Sequence, residues 1–378
     1  MHNNILIIDT TIRKSKFLFN LFTELGQKNF TFLLLSSDLN LIEQFKEKGW
    51  LGKKIYLGPI LRNFTDSIVF ILIFLYLSLK AFLLLIYYKF KRNINFIICV
   101  NLNEKTIFTL AAKIVGLKVI WLELPEVNYR QANKIILGLY RLNSNWADLV
   151  TFNNYTKTQL KNFAFHEERI KIIQPGIKLN QYQDNIFKNL ARNNRQSLHR
   201  KYFTIGTVTD LNQKQKVEII FQAIKICLTV IPNFQLIIIG EGNERKSLNW
   251  LAKKMEIDNL VWFVGEKNQL RKWLDSFDIF ITTNEIVKLD DLARLLEAMA
   301  AGLPVIAPKN VGFEDIIYEN KTGAFIEINN SEMLARQIIR LQQDKKLRLQ
   351  LGENGLKRVE KYFTLDNMIN NFIALFEK

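Results

Sequence analysis

Glu297 lies in the segment whose residue types and spacing are best suited to chemistry. It sits in the apolar run LLEAMAAGLPVIA, residues 295–307. A helix is predicted to end at Gly302, which tolerates the left-handed cap conformation, and Pro304 prevents its continuation into the strand that follows. An unpaired carboxylate among apolar neighbours is costly. Glu297 therefore binds either a ligand's hydroxyl pair, such as a ribose diol, or a nearby lysine or backbone amide.

Two turns earlier in the chain combine glycine with charged residues. The run Gly240-Glu241-Gly242-Asn243-Glu244-Arg245 follows a predicted strand and opens a helix whose N-terminus can hold an anion. Gly206 lies in the strand before a second turn, in a run of small residues that leaves room for a ligand. Lys214 and Lys216 follow and can contact a diphosphate as point charges. The alternatives are a tight turn and solvated lysines at a helix start.

These residues need a scaffold, and the chain alternates short apolar strands with amphipathic helices. This alternation predicts an α/β fold of two Rossmann-like domains facing a cleft, with ligands at the carboxyl ends of parallel strands. Two of the helices are predicted at Lys216–Thr229 and Arg245–Met255. The predicted strands are Ile5–Ile8, Phe30–Leu35, Lys54–Leu57, Phe96–Val100, Lys118–Leu122, Leu149–Phe152, Ile170–Ile173, Phe203–Val208, Phe234–Ile239, Leu260–Val264, Ile279–Thr282, Pro304–Ala307 and Ala324–Ile326.

The length of 378 residues favours two domains. A polar, irregular stretch from Gln174 to Lys201 marks the boundary between them. We expect a first domain at 1–178, a linker at 179–201 and a second domain at 202–360. A last helix at 361–378 is expected to pack back on the first domain.

One helix, at 67–92, is apolar almost throughout, and Ile68–Tyr88 is about as long as a membrane span. A span is difficult to reconcile with the strand that follows at Phe96, and a buried core helix would need cover on every side. We favour a helix lying in the membrane interface, where Lys89, Lys91 and Arg92 meet lipid phosphates.

Composition excludes several classes of site. The formal charge of +16 suits nucleic acid or an anionic membrane, but the basic residues are scattered and no nucleic-acid-binding motif occurs. We therefore predict no nucleic-acid partner. Three histidines and two cysteines, scattered, argue against a metal site. Cys99 and Cys227 lie in apolar runs, as reduced core residues do.

The N-terminus lacks a signal-peptide pattern, so we expect a cytoplasmic protein on the inner face of the plasma membrane.

Five stretches, in the same order, resemble the donor-binding domain of family 4 glycosyltransferases, which have the GT-B fold. The resemblance covers roughly residues 200 to 378, and the first half matches mainly in layout. The stretches are Ile205 to Lys216, Ile239 to Arg245, Val261 to Gly265, Glu297 to Ala307, and Leu351-Gly352-Glu353-Asn354-Gly355 with Val359 to Phe363.

The resemblance implies retaining transfer of a sugar from a nucleotide-diphosphate donor, without a metal or further cofactor. Glu297 matches the glutamate that holds the donor ribose, and Gly265 and Glu266 match the loop that meets the base. Leu292 and Ala293 fall where backbone amides meet the diphosphate. Gly206 and Lys214 complete the implied donor site, with Lys216 and Asp290 as catalytic candidates and Glu123 on the acceptor side.

The chain departs from the family pattern at several of these positions. Asp210 stands where the family has arginine, and Gln215 stands where it has lysine. Leu289 replaces the family's first glutamate, eight residues before Glu297, with Asp290 next to it. In the first half, residues 9–14 replace a glycine-rich loop, and Glu123 is the nearest polar residue to the family's histidine position.

These observations predict a membrane-associated glycosyltransferase in cell-envelope or polysaccharide assembly. Its expected partners are a nucleotide sugar, a glycan or lipid-linked acceptor and an anionic membrane surface. The alternatives are a non-catalytic relative that binds a sugar nucleotide or a partner enzyme, then a sugar-nucleotide epimerase, then a nucleic-acid binder.

Overall fold

The computed structural model describes residues 3–9, 16–58, 64–125, 134–162, 167–179, 202–212, 215–267, 269–309 and 312–377. The chain forms two compact units. Unit 1 comprises Met1–Gln174 with Ile369–Lys378, and unit 2 comprises Pro175–Met368. Of the predicted linker, residues 180–201 lie outside the described part of the chain, as does most of the loop at 9–14.

Unit 1 contains a seven-stranded parallel sheet of order β3-β2-β1-β4-β5-β6-β7. The order reverses between β1 and β4, and loops at the carboxyl ends of strands flanking such a point usually form a ligand crevice. The strands are β1 (Asn3–Asp9), β2 (Phe30–Ser36), β3 (Leu51–Lys54), β4 (Ile94–Cys99), β5 (Lys118–Glu123), β6 (Asp148–Thr151) and β7 (Ile170–Ile172).

The third strand was predicted three residues too late. The pattern placed it at Lys54–Leu57, on apolar residues, whereas β3 pairs Leu51 to Lys54 with Leu33 to Ser36. β3 is an exposed edge strand, so its ladder includes two lysines, and the buried Ile55 and Leu57 follow it.

Helices cover the sheet of unit 1, and Phe376 in the last helix of the chain contacts Phe30 and Phe96 at centroid distances of 5.1 and 5.3 Å. The helices of the first half are α1 (Lys16–Gly26), α2 (Leu39–Glu47), α3 (Phe64–Arg92), α4 (Leu102–Val115), α5 (Lys134–Ser144) and α6 (Asn154–Asn162).

Helix α3 is apolar all round, yet the fold buries only one face of it. That face packs into the core of unit 1 through residues spaced about two turns apart or less, which include Phe70, Leu77, Ala81 and Leu85. The opposite face leaves Leu72, Leu75 and Phe90 about four-fifths exposed, at 78%, 80% and 79%. Within the described residues, Ile68–Arg92 is the segment whose length and composition would suit a membrane crossing.

The basic end of α3 differs from its predicted role at one residue. Lys89 donates a hydrogen bond from Nζ to the carbonyl of Val115, the last residue of α4. It therefore satisfies a helix C-terminus, and the lysine predicted to meet lipid phosphate is used inside the fold. Lys91 and Arg92 are exposed, with Lys91 Nζ 5.0 Å from the ring centroid of Tyr87.

Unit 2 contains a six-stranded parallel sheet of order β10-β9-β8-β11-β12-β13. Its strands are β8 (Phe203–Val208), β9 (Phe234–Ile239), β10 (Val261–Phe263), β11 (Ile279–Ile281), β12 (Val305–Pro308) and β13 (Gly323–Ile326). The remaining helices are α7 (Val217–Cys227), α8 (Arg245–Lys254), α9 (Leu270–Leu274), α10 (Leu289–Ala300), α11 (Ser331–Gln343), α12 (Lys345–Tyr362) and α13 (Leu365–Phe376).

The predicted fold class, α/β with two Rossmann-like domains of the GT-B type, is confirmed in both units. Each sheet is parallel and has an apolar core. The stretch at 351–355 has a packing reason: a Cβ at Gly352 would lie 2.0 Å from the carbonyl oxygen of Gly302, so glycine lets α12 approach the end of α10.

Candidate functional site

Two loops at the carboxyl edge of the unit 2 sheet fix the backbone around Asp210. Leu211, after β8, donates its amide to the carbonyl of Glu241, after β9. A Cβ at Gly240 would lie 1.8 Å from the carbonyl oxygen of Thr209, and one at Gly242 would lie 2.1 Å from that of Leu211. The two glycines therefore permit close contact between the loops. The sequence pattern had suggested instead that they let the backbone approach a ligand.

From this junction the side chain of Asp210 reaches two cations, one at the N-cap of α10 and one within the helix. Its Oδ2 lies 2.6 Å from Lys288 Nζ, and its Oδ1 lies 3.1 Å from Arg294 Nη2. Arg294 also donates from Nη1 to Asp291 Oδ1 at 3.2 Å. Two carboxylates and two cations thus form one network at the carboxyl edge of the sheet.

The pKa values of this network follow from burial and charge together. Burial would raise the pKa of Asp210, but the charges and hydrogen bonds of Arg294 and Lys288 outweigh it and lower that pKa. Burial dominates at Asp291 and raises its pKa despite Arg294. Burial would lower the pKa of Arg294, but the carboxylates of Asp291 and Asp210 outweigh it and raise that pKa. Asp210 and Arg294 are therefore held in their charged forms.

Arg294 was missed at the level of sequence. Its signal is its helical spacing, three residues after Asp291 and three before Glu297, which places the three side chains on neighbouring turns of one helix face. Only the fold brings Arg294 to Asp210, 84 residues away along the chain.

Gln215 replaces the family's lysine and is buried beside this network. Its Oε1 accepts a hydrogen bond from Thr209 Oγ1 at 3.2 Å, and its carbonyl accepts one from Thr283 Oγ1 at 2.8 Å. Its Nε2 has no hydrogen-bond partner among the described residues. A buried amide donor without an acceptor is costly, so this atom marks a place where a ligand oxygen would fit.

Lys216, predicted to be catalytic, lies at the start of α7 with φ +52°. Its Nζ is 3.9 Å from Glu285 Oε2 and 4.0 Å from Glu218 Oε1, and its side chain is partly exposed. The two glutamates offset much of its charge. Lys214, the neighbouring candidate, lies outside the described residues.

The predicted amide contacts at Leu292 and Ala293 do not fit the start of α10. The helix begins at Leu289, and the amide of Leu292 donates to the carbonyl of Lys288 at 3.3 Å. Leu292 is therefore past the amides that a helix N-terminus offers to a ligand, and Ala293 is one residue further. The first turn of α10 begins earlier and carries Asp290 and Asp291.

The other predicted donor residues take separate places in unit 2. Glu297 is part-buried on α10, two turns from its start, and Asp290 lies in the first turn. A Cβ at Gly206 would lie 1.9 Å from the Phe277 ring, so this glycine makes room for an aromatic ring. Gly265 follows β10 with φ +73°, and the exposed Glu266 comes next.

Glu123, predicted on the acceptor side, is fully buried in unit 1. Its Oε2 lies 2.8 Å from Lys105 Nζ, and its Oε1 accepts a hydrogen bond from Tyr140 at 2.6 Å. Trp121 stacks on Tyr140 with ring centroids 4.6 Å apart. Glu123 thus belongs to an internal ion pair, and this pairing of Lys105 on α4 with the end of β5 was not visible in the sequence.

A second polar group lies at the point where the strand order of unit 1 reverses. Asn101, after β4, donates from Nδ2 to Asp9 Oδ1 at 2.9 Å and to Glu104 Oε1 at 3.0 Å. Asp9 ends β1, so these polar side chains lie at the carboxyl ends of two neighbouring strands. This is where ligands usually bind in such sheets.

Much of unit 2 matches a sequence-family model. Residues 191–358 match the family model described as "Glycosyl transferases group 1". The chain is similar to the N-acetyl-alpha-D-glucosaminyl L-malate synthase of Bacillus anthracis, with 25% identity over 169 residues, 45% of this chain and 44% of that protein. It is also similar to the lipopolysaccharide core biosynthesis glycosyltransferase LpsE of Rhizobium meliloti, with 26% identity over 145 residues, 38% of this chain and 42% of that protein. The matched segments thus span less than half the length of these relatives.

Solved structures extend the similarity of fold to the whole chain. The crystal structure of Anabaena Alr3699/HepE in complex with UDP is similar over 99% of both chains, with a TM-score of 0.79 and 15% identity. At this identity the likeness concerns the fold.

Proposed function

We propose that this protein is a glycosyltransferase that moves a sugar from a nucleotide-diphosphate donor to a cell-envelope or polysaccharide acceptor, with retention at the anomeric carbon. The observation that carries the proposal is the pair of cations, Lys288 and Arg294, on the helix that also carries Glu297. This helix begins at the carboxyl edge of the sheet, where α/β proteins bind ligands, and it lies within the segment that matches the group 1 model.

The proposed chemistry places most of the catalytic work on charge and position. The departing nucleoside diphosphate gains negative charge in the transition state, and fixed cations stabilise that charge. Glu297 would hold the ribose hydroxyls, and the loop at Gly265 and Glu266 would meet the base. No strong protein base is needed if the leaving diphosphate helps to deprotonate the acceptor, and holding the reactants together supplies much of the remaining acceleration.

Unit 2 offers polar groups rather than a metal cluster for this chemistry. Among the described residues, no group of three or more histidine, cysteine, aspartate or glutamate side chains is arranged to hold a metal ion. The diphosphate is assigned here to the side-chain cations Lys288 and Arg294. Lys216 and Asp290 remain the proposed catalytic residues beside them.

The acceptor side is proposed to work at an anionic membrane surface. The exposed face of α3 presents large apolar side chains, and the basic Lys91 and Arg92 stand at its end. Such a helix suits the boundary between lipid chains and anionic headgroups. A peripheral enzyme on the inner face of the plasma membrane would meet lipid-linked acceptors there, and the similarity to a lipopolysaccharide glycosyltransferase supports this choice. With Glu123 paired internally, Asp9 and Asn101 are the better candidates to face an acceptor.

The decisive experiment is turnover. Purified protein is incubated with bacterial membranes and a panel of UDP-, GDP-, ADP- and dTDP-sugars, and nucleotide release and product are measured, with the anomeric configuration read by NMR. Glu297→Ala serves as the site variant and Glu256→Ala, a helix-end glutamate exposed at 86%, as its control. Absence of both transfer and donor hydrolysis with every donor would contradict the proposal.

Two other outcomes separate the alternatives. Calorimetric binding of a sugar nucleotide without turnover would favour a non-catalytic relative. Conversion of the donor in the absence of membranes and acceptor would favour an epimerase.

A further inference from the structure

The charges at Asp210 and at its partners Lys288 and Arg294 differ from those that the family resemblance predicts. The family resemblance leads one to expect an arginine at 210 and a glutamate at 289. Here the loop after β8 carries Asp210, and the cations Lys288 and Arg294 face it from α10. Of the two departures from the motif, Asp210 thus bonds to Lys288, the residue next to the second, Leu289. The positive charge has moved from the loop to the helix.

The network is internally neutral but still has donors to offer. Asp210 and Asp291 balance Lys288 and Arg294, so a diphosphate added beside all four would gain little from long-range attraction. A guanidinium has five N–H donors and an ammonium has three. Arg294 donates to the two aspartates from Nη1 and Nη2. The side chains are 25% exposed for Arg294, 39% for Lys288 and 40% for Asp210, so solvent and ligands can reach them.

Gln215 supplies a second, independent observation at the same edge. Its side chain is 1% exposed, and its Nε2 has no partner within the described part of the chain. Its Oε1 is bonded to Thr209, the residue before Asp210. The network around Asp210 thus has a buried, uncharged N–H donor next to Thr209 that can bond to an acceptor oxygen.

We propose that Lys288 and Arg294 form the anion site that receives the donor's diphosphate, and that the carboxylate of Asp210 occupies this site until the donor binds. The proposal rests on the proposed function and adds the residues that hold the leaving group. Asp210 acts as an internal competitor: it keeps the two cations in place in the free protein, and its negative charge opposes the ligand. Arg294 can stay anchored by Asp291 when Asp210 is displaced.

This arrangement predicts whether each of two substitutions strengthens or weakens the binding of a nucleoside diphosphate. Asp210→Asn keeps the shape and removes the charge that competes with the ligand, so a nucleoside diphosphate binds more tightly, by about tenfold. Arg294→Met removes a cation that the ligand needs, so binding weakens by about tenfold or more, and Arg294→Lys restores part of it. A merely structural ion pair would give the opposite result at Asp210, because breaking it would loosen the site.

The test is calorimetric binding of UDP, GDP and ADP to the full chain at low and high salt. Asp275→Asn is the matched control, because Asp275 is also paired with an arginine, Arg271, at 3.0 Å. We expect a lower Kd for Asp210→Asn, an unchanged Kd for Asp275→Asn and a higher Kd for Arg294→Met. The difference in Kd between Asp210→Asn and the parent protein should become smaller as the salt concentration rises. Thermal unfolding of each variant confirms that it is folded.

The outcomes distinguish the two proposals. If the parent protein binds a nucleoside diphosphate and Asp210→Asn binds it equally or less tightly, the competitor role of Asp210 is wrong and the proposed function stands. If Arg294→Met binds as the parent does, the anion site lies elsewhere. If the folded parent protein binds none of the three nucleotides, this inference is wrong, and the proposed function is wrong as well if no donor of the panel is turned over.

Discussion

Lys105 Nζ lies 2.8 Å from Glu123 Oε2, and both side chains are buried at the carboxyl end of the central strands of unit 1. Lys105 also donates to the carbonyl of Leu122 at 2.8 Å, and Tyr140 donates to the other oxygen of Glu123. Every charge in this group has a partner, which a buried ion pair requires. Glu123 is thereby committed to the fold of unit 1.

We predict that Lys105→Met destabilises unit 1 by about 3–5 kcal/mol, because it leaves Glu123 charged and unpaired in the interior. The measurement is urea unfolding followed by tryptophan fluorescence. Lys161→Met is the control, since Lys161 pairs with Glu167 at the surface and should cost less than about 1 kcal/mol. Lys105→Met with Glu123→Gln should recover part of the loss. A cost for Lys105→Met no larger than that of the control would contradict the ion-pair role.

We predict that Gly240→Ala destabilises unit 2 and weakens nucleotide binding together. Gly240 has φ +145°, and an added Cβ would lie 1.8 Å from the carbonyl oxygen of Thr209. The loop that carries Asp210 must then move, at a cost of about 2 kcal/mol or more. Gly302→Ala is the control: it has φ +75° with open space around its Cβ position, so it should cost about 1 kcal/mol and leave binding unchanged. Normal nucleotide affinity in Gly240→Ala would contradict this account.

We predict that Leu72→Ser with Leu75→Ser and Phe90→Ser abolishes flotation with anionic liposomes while the protein stays folded. These side chains belong to the exposed face of α3, so their loss removes apolar contact with lipid at little cost to the core. Phe70 is unsuitable for this test, because it is fully buried. Leu39→Ser with Trp250→Ser, exposed apolar residues on other helices, is the control. Flotation that survives the triple substitution would exclude this face of α3 as the membrane contact.

We predict that neither cysteine reacts with a thiol reagent in the folded protein at pH 8. Burial raises the pKa of Cys227 to about 12 and also raises the pKa of Cys99. The reactive thiolate of Cys227 is then a fraction on the order of 10⁻⁴ at pH 8. The measurement is the number of titratable thiols before and after unfolding in urea, expected to rise from none to two. Rapid labelling of either thiol in the native protein would contradict its place in the core.

Much of the fold could be predicted from the sequence because its strands are short, apolar and regularly spaced. Phe203–Val208 and Phe234–Ile239 coincide with their predicted bounds. The strand at Leu51–Lys54 did not, because an edge strand needs no apolar pattern, and hydrogen bonding to β2 decides where it lies. Helix α3 could be recognised by composition, but which of its apolar faces is buried depends on the sheet and helix that pack against it.

For the candidate site, too, some features follow from the sequence and others only from the tertiary structure. The sequence by itself determined the α/β class, the segment around Glu297 and the two departures at Asp210 and Leu289, since each follows from local pattern. Tertiary structure alone decided that Asp210 pairs with Lys288 and Arg294 and that Glu123 pairs with Lys105. The reason is physical: periodicity reports which face of an element is apolar, whereas charge pairing depends on side chains of different elements, which meet only when those elements pack together.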